Sequence, residues 1–156
     1  MDLRLPKLLG AEGKEELVRN FLVARPTINI GKGEMPLIQI EADERFISAL
    51  RREFMRRRAI YGLEAIKERL EKEERGLKER GTRVSRLLIT SRDGSPRFYR
   101  EVAHLLNRYT PRLMGLIIDL DSRALSAICG RKERGTVKAV MVNHKAGVAE
   151  ILGALI

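Results

Sequence analysis

Three short polar runs hold the residues of this chain that could do chemistry. They are Ser91-Arg92-Asp93-Gly94-Ser95-Pro96-Arg97, Asp119-Leu120-Asp121-Ser122 and Asn143-His144-Lys145. Asp119 and Asp121 lie two apart, so on an extended strand their carboxylates face one side. With Asp93 from a neighbouring strand end, such a pair could hold Mg²⁺. His144 beside Lys145 could serve as a general base or contact a phosphate. Ser95 and Pro96 suit the start of a helix, whose free N–H groups could face an anion. Asp93, Ser95, Asp119, Asp121, Asn143, His144 and Lys145 therefore form one candidate ligand site. Each also has a plainer role: Ser95 and Asp121 as helix caps, and His144 as a polar loop residue. No Ser/His/Asp or Cys/His arrangement is identifiable by spacing, and no metal or cofactor is assigned.

A second set consists of arginines. Arg51, Arg52, Arg56, Arg57 and Arg58 crowd about two helical turns, a density that is unfavourable unless carboxylates or phosphates lie nearby. Either an RNA backbone or an acidic face within the protein or a dimer would answer that need. Arg92, Arg97, Arg131, Lys132 and Arg134 add further candidate phosphate contacts. Overall, 31 Lys and Arg against 21 Asp and Glu give a net charge of +10, with twelve basic to six acidic residues over 86–156. Such a balance favours polyanionic partners, and sequence bias alone could also produce it. Aromatic residues make up only 4%, which argues against an exposed platform for stacking bases.

The elements that must position these residues are three strand-then-helix units over 86–156. Their apolar runs of four to six residues, unalternated and bounded by Gly, Pro or Asp, suit strands buried on both faces. In an open parallel sheet the carboxyl ends of such strands collect ligands. Before them, residues 42–81 have a helical apolar period that predicts one long charged helix, bent or broken near Gly62. Its second part, from Leu63 to Leu77, reads as a solvated face or a dimerising arm. Residues 1–41 read as an extension: a helix over 11–24, then short β-type runs at 27–30 and 37–40 separated by a turn over 31–36. His104, mid-helix among apolar neighbours, reads as structural.

At 156 residues one domain is expected, a single α/β unit with a mostly parallel sheet flanked by helices. A single cysteine, Cys129, excludes an internal disulfide and a multi-cysteine zinc site. No apolar run approaches bilayer length, and the first residues lack a signal-peptide pattern. A cytoplasmic location away from membranes is the expectation.

Residues 87–90, Asp93, 97–109, 113–118, 125–130, 137–142 and 146–155 follow one another in an order and spacing that resembles the kink-turn-binding ribosomal protein family. The resemblance spans the last 71 of 156 residues and implies that family's fold and an RNA partner. The family's glycine-rich, lysine-bearing helix start is represented here only by Gly62 and Lys67. The run Leu-Leu-Ile-Thr-Ser-Arg-Asp-Gly-Ser-Pro-Arg-Phe, 87–98, is also similar to the opening of Brix-domain ribosome-assembly proteins. The leading expectation is non-enzymatic RNA binding. A strand-end enzyme or phosphorylated-ligand site and a homodimeric interaction protein are the alternatives.

Overall fold

The computed structural model describes residues 3–29, 37–77, 81–130 and 136–156. The turn expected over 31–36 and the candidates Arg131, Lys132 and Arg134 lie outside the described residues. Leu87, Leu88 and Ile89 are all fully buried, as consecutive residues are in a strand covered on both faces. The strands are β1 (Thr27–Ile28), β2 (Leu37–Ile40), β3 (Ala59–Tyr61), β4 (Arg86–Thr90), β5 (Leu113–Ile118) and β6 (Ala139–Val142). The helices are α1 (Lys7–Ala11), α2 (Glu15–Ala24), α3 (Glu44–Met55), α4 (Leu63–Arg75), α5 (Pro96–Tyr109), α6 (Ser122–Ile128) and α7 (Lys145–Gly153).

All six strands form one sheet in the order β1-β2-β5-β4-β6-β3. It is mixed, which corrects the expectation of a mostly parallel sheet. β5 pairs parallel with β2 and β4, whereas β1–β2, β4–β6 and β3–β6 pair antiparallel. The three expected strand–helix units are present, but the third strand points the other way. A helix returning the chain for a parallel strand must span the sheet. α6 has seven residues, about 10 Å, whereas the six-residue β5 is about 20 Å long. β6 therefore starts at the edge where β4 ends, with Ala139 opposite Thr90.

Alternation along the strands divides the core between two helical layers. Leu87, Ile89, Met114, Leu116, Val140 and Val142 face α1, α2, α3, α6 and α7. Leu88, Leu113, Ile117 and Met141 face α4 and α5. Gly115 lies on the α5 side, where a Cβ would come within 2.7 Å of Leu37 and 2.9 Å of Leu106. Its missing side chain lets α5 pack closely on β5.

Residues 42–81, expected as one long or broken helix, form helix, strand and helix. Asp43 caps α3 by accepting from the Phe46 N–H at 2.9 Å, and α3 stops at Met55. Arg57 then adopts a left-handed conformation at φ +58°, which reverses the chain into the edge strand β3. Gly62, near which the sequence predicts a bend or break, stands at φ +92° just before α4, seven residues after α3 has ended. Ile66 and Leu70 of α4 are fully buried and Leu63 packs beside them on the sheet. Most of the apolar stripe read as a solvated face or a dimerising arm is thus covered by the protein's own core, while Leu77 stays exposed. Among the described residues no helix is long and apolar enough to cross a membrane.

Gly115→Ala should destabilise the fold by about 1–3 kcal/mol, the range for overpacking a filled site. Urea unfolding would measure it, with an unchanged midpoint contradicting the close approach of α5.

Candidate nucleic-acid interface

β2, β4 and β5 all end at one edge of the sheet, the carboxyl edge, whereas β6 begins there. β6 ends at the opposite, amino edge, where Val142 pairs with Leu87 and Ala59. This divides the candidate ligand site. Asp93, Ser95, Asp119 and Asp121 lie at the carboxyl edge, and Asn143, His144 and Lys145 lie about 13 Å away, the length of a four-residue strand.

The carboxyl-edge acids serve as clamps. Asp93 accepts from the Ser122 N–H at 2.9 Å and from its hydroxyl at 2.7 Å, tying the loop after β4 to the start of α6. Burial pushes the Asp93 carboxyl up, but these bonds outweigh it and hold the group below its ordinary 3.8. Asp119 accepts from the Ala42 N–H at 2.8 Å, which ties β5 to the loop after β2. Asp121 caps α6 through the Ala124 N–H at 2.8 Å, and Ser95 caps α5 through the Phe98 N–H at 3.1 Å. Each carboxylate answers a different backbone donor, and no metal-binding group of three His, Cys, Asp or Glu occurs among the described residues.

At the amino edge lies a fully buried carboxylate that sequence reasoning passed over. Glu53 is 0% exposed and receives a two-pronged Arg58 guanidinium, Nε to Oε1 at 2.8 Å and Nη2 to Oε2 at 3.1 Å. Arg56 bridges Glu53 at 3.3 Å and Glu150 at 2.6 Å. Burial raises the Glu150 carboxyl, but the neighbouring guanidinium groups of Arg56 and Arg58 leave it below 4.5. A Cβ at Gly147 would fall on Glu53 Oε1, so that glycine makes the space for the carboxylate. His144 caps α7 by accepting at Nδ1 from the Ala146 N–H at 3.2 Å. Asn143 donates to the Arg58 carbonyl at 2.8 Å and accepts from Arg69 at 2.6 Å. Two of the five arginines of this cluster, Arg56 and Arg58, thus answer internal acids, while Arg51, Arg52 and Arg57 are exposed with no acid in ion-pair distance among the described residues. The signal available in the sequence was the helical spacing that puts Glu53 beside Phe46, Ala49 and Leu50 on the inward face of α3.

A separate basic surface is the outward face of α5. Arg97, Arg100, His104 and Arg108 are all exposed and recur three or four apart, which lines them along one side of a helix about 21 Å long. His104, expected as structural, belongs to this stripe. Glu101 is the one acid in α5, and it faces Lys67 of α4 at 3.4 Å. The neighbouring α4 carries five Glu against four Lys and Arg, so the basic character is confined to the α5 half of this face. Arg92, Arg97 and Arg100 meet no carboxylate within ion-pair distance among the described residues. Arg51 and Arg52 lie on α3, across the sheet from α5, so the two arginine groups belong to separate surfaces.

Beside the first turns of α5 runs a groove of about 410 Å³ lined by Ile28, Asn29, Leu37, Arg92, Pro96, Tyr99, Arg100 and Ile117. The Tyr99 hydroxyl donates to the Ser91 carbonyl at 2.7 Å and accepts from the Gly94 N–H at 3.0 Å. Gly94 has no Cβ because one would meet the Phe98 and Tyr99 rings. The same loop that caps α5 thereby fixes one wall of the groove.

No protein-family model matches this sequence, and a search of curated proteins finds no match.

Glu53→Gln should cost roughly 2–3 kcal/mol, below the full scale of a broken buried pair because Arg58 keeps some solvent contact. Chemical denaturation would measure the loss, and a change within error would show that the pair contributes no net stability. Asp93 has a lowered native pKa, so its contribution is present above the unfolded value of 3.8 and is lost as pH falls through the native value. Asp93→Asn should therefore lower the melting temperature at neutral pH and flatten the decline below about pH 4. Parallel pH–melting curves for the two proteins would contradict the clamp.

Proposed function

We propose that the protein binds RNA without catalysis, through phosphate contacts made by Arg92 and the outward face of α5. The observation that carries this reading is the stripe of Arg97, Arg100, His104 and Arg108 on a helix whose single acid faces a lysine of α4. Arg92, Arg97 and Arg100, which meet no carboxylate among the described residues, suit bidentate phosphate contacts. The spacing of the stripe along one helix lets successive phosphates of a strand be met in turn. The likeness of 87–98 to Brix-domain openings and of 86–156 to kink-turn-binding ribosomal proteins points toward the same class of partner. The rival site for Mg²⁺ or a phosphorylated ligand loses support because its acids answer backbone donors and its amino-edge members stand on the far side of the sheet.

Fluorescence anisotropy with a labelled RNA oligonucleotide at several salt concentrations tests the reading. Affinity should fall steeply with salt, and Arg97→Ala with Arg100→Ala should lower the log–log salt slope by about 0.7 per lost contact on a single strand. Replacing Arg51, Arg52 and Arg57 together by alanine should change affinity less than the α5 pair does. Salt-insensitive binding, or an unchanged slope in the α5 variant, would refute α5 as the contact surface.

A further inference from the structure

We infer that the groove beside α5 receives one unpaired nucleobase, so that the RNA partner is single-stranded or looped; this rests on the RNA reading above. α5 covers β5 and β4, and on the same face the outer strand β1 leaves Ile28 39% exposed. Ile28 and the edge of Ile117 supply an apolar floor over the buried Leu37, and Pro96 and Tyr99 belong to the α5 side. Arg92 and Arg100 line the same groove, and neither has a carboxylate partner among the described residues. A phosphate alone has no use for the apolar floor, and a purely apolar ligand has no use for the guanidinium groups. A nucleotide uses both: its base fills the floor while its flanking phosphates meet the arginines, whose planes can also stack on a base.

Two features suit this occupant. Tyr99 is held from both sides through its hydroxyl and packs edge-on against Phe98 at 5.1 Å, so the wall is formed before binding and little ordering entropy is lost. Asn29 lines the groove, and its carboxamide offers both donors and an acceptor to a base edge. A volume of about 410 Å³ lies in the lower range of small-ligand sites. Bases of a duplex remain stacked, with their edges in a deep, narrow major groove, and cannot enter.

The test uses the whole chain and anisotropy titrations with three labelled probes: a ten-nucleotide single-stranded RNA, the same strand in duplex, and a ribose-phosphate strand of equal length without bases. The intact single strand should bind about tenfold tighter than either control, the scale of one packed base. Ile28→Gln, at a half-exposed edge position, should remove that advantage and leave the two controls unchanged. Asn29→Ala provides a second groove variant should Ile28→Gln melt early. Equal affinity for all three probes, or groove variants that match the parent, would overturn the base site while leaving phosphate binding intact. Displacement of the strand by micromolar uridine monophosphate would overturn the strand as occupant in favour of a free nucleotide. Failure of every probe to bind would remove the RNA reading itself.

Discussion

β4 is buried on both faces and paired along both edges, with β5 running in its own direction and β6 running against it. That pair of opposite alignments governs what the polar strand ends can do. The parallel neighbours place Asp93 and Asp119 at the carboxyl edge, close enough to knit the β4, β5 and β2 loops together through backbone donors. The antiparallel neighbour carries Asn143 and His144 to the amino edge, where they join the turn after α3. A pocket drawing on all three strand ends is thereby ruled out by geometry, whatever the chemistry of its members.

Arginine does two kinds of work in this fold. Arg58 with Glu53, and Arg86 with Glu73 at 2.9 Å, are forked pairs with little solvent contact. Arg112, also buried, joins the second pair at 3.4 Å. Such pairs specify geometry more than they add net stability, since desolvation offsets much of the attraction. Arg92, Arg97 and Arg100 have no such carboxylate partner among the described residues. Their exposure beside an apolar groove separates them from the structural set, a distinction that net charge cannot make.

Much of the fold was legible locally. The short β-type runs of β1 and β2, the interruption near Gly62, and the caps at Ser95 and Asp121 follow from residue types whose preferences act within a few positions. Strand direction was not legible, because an unalternated apolar run such as Ala139 to Val142 reads alike in either sense. β3 was hidden because Ala59, Ile60 and Tyr61 continue the helical apolar period of their flanks. The α5 stripe was half visible: Arg97 was singled out, but its alignment with Arg100, His104 and Arg108 depends on which side of the helix meets the sheet.

By itself the sequence determined the strand–helix succession of the carboxyl-terminal half, the capping chemistry and the basic excess, since each depends on composition or short-range spacing. Tertiary structure alone decided that Glu53 neutralises Arg56 and Arg58, that the acids of the carboxyl edge serve as clamps, and that Arg92 and Arg100 share a groove with Ile28. Those outcomes join residues from 29 to 94 positions apart, or depend on burial that their neighbours impose. Long-range pairing follows from the order and direction of strands in the sheet, and no local preference encodes it.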